Sequence, residues 1–218
     1  MYSPSEENYL KAIYKISERK GTPVSTNWIA NEMDTSPASV SDMLKKLAEK
    51  KLVHYEKYHG VSLSKSGMEL ATRLIRKHRL WESFLVQKLN FSWDEVHEIA
   101  EQLEHVRSER LIDNLDNFLG SPKFDPHGDP IPDKFGKFTL RQQMPLDQLL
   151  AGETGTVIAV LNHSKEFLQY LDEINIQIGT SLRVIEIYDF DHSVKIAIDQ
   201  NLLQLSHTVS KNIYVKKA

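Results

Sequence analysis

Residues 25–51, STNWIANEMDTSPASVSDMLKKLAEKK, decide the reading of this chain. Ser25 or Thr26 caps a short helix running through Met33, and the polar turn Asp34-Thr35-Ser36-Pro37 breaks it. A longer helix follows from about Pro37 to Lys51. Short helix, tight turn and longer helix form a helix-turn-helix pattern. Working outward, Ser3, Pro4 and Glu6 open an N-terminal helix as cap, first turn and capping-box acid, and Gly21 stops it. On the other side VHYEKYHGVSLSKSG (53–67) alternates apolar and polar residues about His59-Gly60, as a short hairpin does. Three helices and a hairpin read as a winged helix. Its third helix would present Ser36, Pro37, Ala38, Ser39, Ser41 and Asp42 to a DNA major groove. Lys45 and Lys46, with Lys57 and His59 on the wing, are candidate phosphate contacts. A winged helix used for protein contacts is the competing reading.

The 218 residues are enough for one large domain or two small ones, and 40% hydrophobic with 26% charged suits a globular chain. No apolar run reaches a membrane span and the N-terminus lacks a signal peptide's apolar segment. There is no cysteine, which excludes disulfides and thiolate metal sites and fits a cytoplasmic home. The net charge is −3, but its distribution is uneven. Lys45, Lys46, Lys50, Lys51, Lys57 and Lys65 cluster early, whereas Asp94, Glu95, Glu98, Glu101, Glu104, Glu109, Asp113 and Asp116 crowd the middle. A basic module followed by an acidic one suits a polyanion at one end and a cation in the middle.

The acidic middle contains two helical stretches. In LATRLIRKHRLWESFLVQKL (70–89) the stripe Ala71, Leu74, Ile75, Leu85 and Leu89 has helical spacing, with His78 and Glu82 set inside it. A carboxylate and an imidazole buried without partners cost several kcal/mol, so something must compensate. A cation is one answer, since His and Glu supply N and O ligands for first-row metals. A buried ion pair or a hydrogen-bonded histidine is the other. The second stretch starts after a capping box, Ser92 and Glu95, and is expected to run to Gly120. Within HEIAEQLEH (97–105), ideal helical geometry puts His97, Glu101, Glu104 and His105 on an arc of roughly 100°, which as a solvated face would need no metal. His97 and His105 would then stand about 12 Å apart along the axis, too far to share one ion. Two nearby sites are expected, one with Glu101, Glu104 and His105, the other with His97, His78 and Glu82.

After Gly120, GSPKFDPHGDPIP (120–132) is an irregular crossing. It adds Asp125 and His127 as candidate ligands, though Asp-Pro and His-Gly are also turn chemistry. From Met144 a second kind of domain begins. Strands over 155–161, 182–188 and 194–198, a short one at Tyr214-Val215, and a helix from Ser164 to about Glu173 predict a small SH3-like β-barrel. The fold class is mainly α with an α+β part: a winged helix-turn-helix over 1–72, a helical segment over 73–143 and the barrel over 144–218.

With those residues laid out, the chain resembles the diphtheria toxin repressor and manganese transport regulator family of metal-dependent repressors. The stretches that carry the resemblance are YLKAIYKI (9–16), IANEMDTSPASVSDMLKKL (29–47), IRKHRLWESFL (75–85), HEIAEQLEHV (97–106) and DPHGDPIP (125–132). It implies a homodimer on a palindromic double-stranded operator, no membrane and no small-molecule substrate. It also implies a primary metal site at Asn8, Glu101, Glu104 and His105, with His78 close enough to serve either site, and an ancillary site at His78, Glu82 and His97. His163 and Glu166 match positions where the C-terminal domain adds ligands in some members. Asn8 departs from the Met or Asp common at its position, and Lys11 replaces an acidic ligand of some small manganese regulators. The all-N/O set favours Mn²⁺ or Fe²⁺, with Zn²⁺, Co²⁺ or Ni²⁺ able to bind in vitro. On this reading Glu104→Ala and His105→Ala abolish metal activation without harming the fold. A zinc-protease motif fails because Glu101 stands where its second histidine belongs, and Glu101-x-x-Glu104 is not a di-iron motif. A winged-helix regulator with an organic effector is the remaining alternative.

Overall fold

A computed structural model of the chain describes residues 2–218. It divides into two compact units. One holds the chain up to His78 together with Leu103–Arg107 and Pro132–Lys137; the other holds Arg79–Gln102, Ser108–Ile131 and Phe138–Ala218.

In the first unit, α1 (Pro4–Lys20) starts at a complete capping box between Ser3 and Glu6 and ends at Gly21. Helix α2 (Thr26–Glu32) is capped by Ser25, and α3 (Pro37–Glu49) by Ser36 with Pro37 at its first turn. Strands β1 (Val53–Glu56) and β2 (Gly60–Leu63) pair antiparallel, and Val24 bridges to Val61 beside them. This is the winged helix-turn-helix expected from residues 25–67. Leu10, Ile13, Ile29, Val40, Leu44, Leu47 and Val61 are fully buried within it. Helix α4 (Lys65–Leu89) follows; its stripe residues Ala71, Leu74, Ile75 and Leu85 are buried as their spacing requires, whereas Leu89, the helix's last residue, is exposed.

The second acidic helix is not continuous. Helix α5 (Val96–Leu103) stops, residues 104–108 are irregular, and α6 (Glu109–Phe118) restarts on a new cap, Ser108, whose side chain accepts from Leu111 N–H. The Ser92/Glu95 box is half formed: Glu95 reaches back to Ser92, but the helix begins only at Val96. Glu104 and His105 therefore lie outside the helix. The single helical arc that placed them with His97 does not exist. The break turns the buried carboxylate of Glu104 towards partners in α1 and α4, and Lys77 Nζ donates to the freed carbonyl of Val106 at 2.9 Å.

In the second unit, Leu80, Ile112, Leu115 and Ile131 form one small apolar cluster. The C-terminal sheet has six antiparallel strands in the order β3-β8-β4-β5-β6-β7: β3 (Met144–Pro145), β4 (Thr154–Val160), β5 (Ser181–Ile187), β6 (Val194–Ile198), β7 (Asn201–Leu205) and β8 (Ile213–Lys217). Bulges at Val157/Ala159 and Val184/Glu186 bend it, as the expected SH3-like form needs. Helix α7 (Lys165–Glu173), capped by Ser164, packs Leu168 and Leu171 into its core, and α8 (His207–Ser210) precedes β8. Strands β3 and β7, and the one-turn α8, were not anticipated. They are too short, or too weakly alternating, to stand out.

The 125–131 loop is fastened to β4. Val160 N–H donates to His127 O at 2.9 Å, and the Arg141 guanidinium donates to both Gly128 O and Ile158 O. Gly128 has φ +89°, and a Cβ there would lie 2.0 Å from Ile158 O and 2.5 Å from Ala159 Cα. Backbone cannot yield that much, so Gly128→Ala is expected to cost at least about 3 kcal/mol of stability. Gly152, also at φ +89° but facing open space, is the control. Gly152→Ala should cost only about 1–2 kcal/mol, the backbone component alone. Urea unfolding of both variants checks this, and equal losses would refute the close-approach argument.

Candidate metal centre

The first cluster is built where α1, α4 and the 104–108 break meet. Glu104 is completely buried. Lys11 Nζ donates to both its oxygens, at 2.6 and 2.7 Å, and His78 Nδ1 donates to Oε2 at 2.7 Å. His105 Nδ1 donates to Glu7 Oε2 at 2.6 Å. That bond selects the ring's tautomer, leaving Nε2 with its lone pair 3.9 Å from Glu104 Oε1. Asn8 Oδ1 is shielded from solvent and has no hydrogen-bond partner among the described residues. An oxygen donor, a carboxylate and an imidazole nitrogen, two of them with idle lone pairs, suit a hard or borderline divalent cation. Glu7 was not singled out from sequence. It lies one turn before Lys11 on α1, but its partner is 98 positions away and no local pattern joins them.

The second cluster gathers around Glu82, itself almost fully buried. His97 Nδ1 donates to Glu82 Oε1 at 3.2 Å. Ligand atoms of Glu82, Asp125 and His127, all buried, lie within 4.8 Å of one another. His127 Nε2 donates to Trp93 O at 2.7 Å, and Nδ1 faces Glu82 Oε2 at 3.7 Å without a hydrogen bond. In the neutral ring a lone pair would then face a carboxylate, which is unfavourable unless a proton or a metal ion lies between them. The titration behaviour agrees. Burial opposes a charge on His127, but Glu82 and Asp125 outweigh it and raise the ring to about 9. Burial, then Asp129 and Glu82, push Asp125 up to about 7. A proton on His127 thus does part of a cation's work.

His163 stacks on His127 with ring centroids 4.5 Å apart and donates from Nε2 to Val160 O at 3.0 Å. Burial and the charge of His127 hold it down at about 4. Arg79 closes the cluster through Asp129 at 2.7 Å and Asp125 at 3.5 Å. The structure therefore brings together Glu82, His97, Asp125, His127 and His163. Glu101 pairs with His97 Nε2 at 3.5 Å, and Glu166 is exposed in the first turn of α7. Asp129, Arg79 and Trp93 were missed, because Asp-Pro reads as a turn and a backbone carbonyl leaves no trace in a sequence.

On the winged helix, Ser36, Pro37, Ala38, Ser39 and Asp42 are exposed and Ser41 is half-buried. Ser36 Oγ caps Ser39 N–H and contacts Ser39 Oγ at 2.9 Å, Ser41 Oγ donates to Pro37 O, and Lys45 pairs with Asp42. Lys57 and His59 are exposed on the wing. Lys46 is partly committed, lying 3.2 Å from the buried Glu6 carboxylate, which Lys50 also holds at 2.7 Å. Burial works to raise Glu6, but Lys50, the Ser3 amide and Lys46 outweigh it and keep it at about 2.

Comparison with known proteins places this geometry. Three family descriptions match in order: Iron dependent repressor, N-terminal DNA binding domain, over residues 1–61; Iron dependent repressor, metal binding and dimerisation domain, over 64–133; and the FeoA domain over 144–217. The chain is 31% identical over 202 residues to the diphtheria toxin repressor of Corynebacterium jeikeium, covering 92% of this chain and 75% of that protein. It is 36% identical over 126 residues to the iron-dependent repressor IdeR of Mycobacterium tuberculosis, spanning 54% of that protein's length. A solved manganese-dependent transcriptional repressor in complex with manganese is 36% identical, with a TM-score of 0.89 over 98% of this chain and 100% of that one. The repressor ScaR with bound Zn²⁺ is 33% identical, with a TM-score of 0.80 over 98% and 99%. Fold, clusters and relatives together define a metal-dependent DNA-binding transcription regulator, not an enzyme. The chain belongs to the iron-dependent, or diphtheria toxin, repressor family.

Proposed function

We propose that this protein is a repressor of metal-uptake genes that responds to Mn²⁺ or Fe²⁺ and binds a palindromic operator as a homodimer in the cytoplasm. The observation that carries it is the pair of oxygen-and-nitrogen clusters, each with a buried donor atom lacking a hydrogen bond, Asn8 Oδ1 in one and His127 Nδ1 in the other. Asn8, Glu104 and His105 would hold one ion, with Glu7 orienting His105. Glu82, Asp125 and His127 would hold the other, with His97 and His163 beside it. Glu101 and His78 are assigned by their place on the acidic helices and by the family resemblance, and Glu166 by the resemblance alone. The working domain limits are 1–72, 73–143 and 144–218. A bound divalent ion supplies positive charge to these acidic clusters. Ser36, Pro37, Ala38, Ser39, Ser41 and Asp42 read bases or phosphates, while Lys45, Lys46, Lys57 and His59 meet the backbone.

Selection from random duplex DNA in Mn²⁺ tests the whole reading. It should recover a two-fold sequence that a chelator releases, and retention unchanged by chelator would remove the metal requirement. On the selected site, Ser39→Ala should relax sequence choice. Lys46→Ala should weaken all sequences alike and lower the salt slope by about one. Lys50 still neutralises Glu6 in that variant, so the fold should persist. Loss of sequence preference in the lysine variant instead would reverse the two roles.

A further inference from the structure

We propose that Lys11 is a built-in counter-cation of Glu104, competing with the divalent ion for that carboxylate and so setting the metal concentration at which the first cluster fills. The inference rests on the reading of Glu104 as a metal ligand. Lys11 is only 5% exposed, and its ammonium lies 2.6 and 2.7 Å from the two Glu104 oxygens. A surface lysine drifting onto a carboxylate would not be buried this way. Both charges have left water, and each compensates the other.

With His78 on Oε2, three of the roughly four lone-pair directions of the carboxylate are already taken. Lys11 also stands three residues after Asn8 and four after Glu7, one turn along the same helix. The turn of α1 that offers the idle Asn8 oxygen and orients His105 thus also delivers the ammonium. A divalent ion held by Glu104 at about 2.1 Å would stand roughly 4–5 Å from that ammonium while the lysine stays in place. Either the lysine withdraws and its charge must be accommodated elsewhere, or the two cations repel. Both outcomes lower affinity relative to a neutral residue at position 11.

The consequence suits a sensor. In metal-free protein the Glu104 carboxylate is satisfied by its own lysine, so folding does not require the ion, and filling occurs only when the ion outcompetes a fixed internal charge. The neutral Asn8 adds to this, because the cluster then offers the ion little net negative charge.

The test compares metal-free full-length wild type with Lys11→Met, Lys11→Arg and Glu104→Gln, titrated with Mn²⁺ by calorimetry and by electron paramagnetic resonance of free Mn²⁺. Lys11→Met should bind Mn²⁺ about ten- to hundredfold more tightly at the Glu104-dependent site, and Lys11→Arg should remain like wild type. Should Lys11→Met fold only with Mn²⁺ present, its affinity is read by competition against a chelator of known strength, with wild type measured identically. Equal or weaker binding in Lys11→Met overturns the proposal, and so does tightening in Lys11→Arg, which keeps the charge. Mn²⁺ binding that Glu104→Gln leaves untouched would instead remove Glu104 from the metal site, a separate failure.

Discussion

Glu104→Gln is expected to abolish Mn²⁺-stimulated DNA binding, weakening the ion at its site by about a hundredfold or more through the loss of a charged ligand. The amide keeps the shape of the side chain, and its oxygen can still accept from Lys11. Glutamine is therefore a cleaner substitution than alanine. The sequence suggested that Glu104→Ala would leave the fold unharmed. The structure reverses that expectation. Glu104 is fully buried and neutralised by Lys11, so alanine would strand a buried ammonium and the His78 donor, at a cost of about 3–5 kcal/mol. Glu104→Ala should accordingly lower thermal stability even in metal-free protein, while His105→Ala, acting at a half-buried ring, should lose the metal response with a smaller change in stability. Calorimetric Mn²⁺ titration and gel retardation check both. Normal Mn²⁺-dependent retardation by Glu104→Gln would show that the primary ligands lie elsewhere.

The second large effect concerns His127. His127→Gln should remove one equivalent of bound metal per chain and leave the Glu104-dependent site in place. The ring sits among Glu82 and Asp125 with its remaining nitrogen bonded to Trp93 O, so it is oriented as well as buried. Glu82→Gln should have the same effect on stoichiometry. Because the loop bearing His127 is bonded to β4 and its ring stacks on His163, emptying this site should also loosen the C-terminal sheet. Hydrogen exchange at Val160 would register that loosening. His163→Ala is expected to shift the metal midpoint further than the exposed Glu166→Ala does. Elemental analysis of purified variants decides the matter. Unchanged stoichiometry in His127→Gln, or a shift confined to Glu166→Ala, would overturn this arrangement of the site.

Helix starts at Ser3, Ser25, Ser36 and Ser164 were legible from the sequence because a cap binds an amide two or three residues away. The winged helix, the buried stripe of α4 with its polar intruders and most strands of the sheet follow from equally local periodicity. So does the choice of oxygen and nitrogen chemistry for the metal, since residue type alone carries it. What the tertiary structure decided was which donors meet. The pairing of Lys11 with Glu104 spans 93 positions and that of His105 with Glu7 spans 98, and neither leaves a periodic trace. The break after Leu103 was also hidden, since Glu101-Gln102-Leu103-Glu104 is a run of helix formers that favours continuation. It takes the long-range demand of a buried carboxylate for cationic and hydrogen-bonded partners to override that local preference. Energies of this size, several kcal/mol against tenths per residue of propensity, are settled by packing and not by neighbours in the chain.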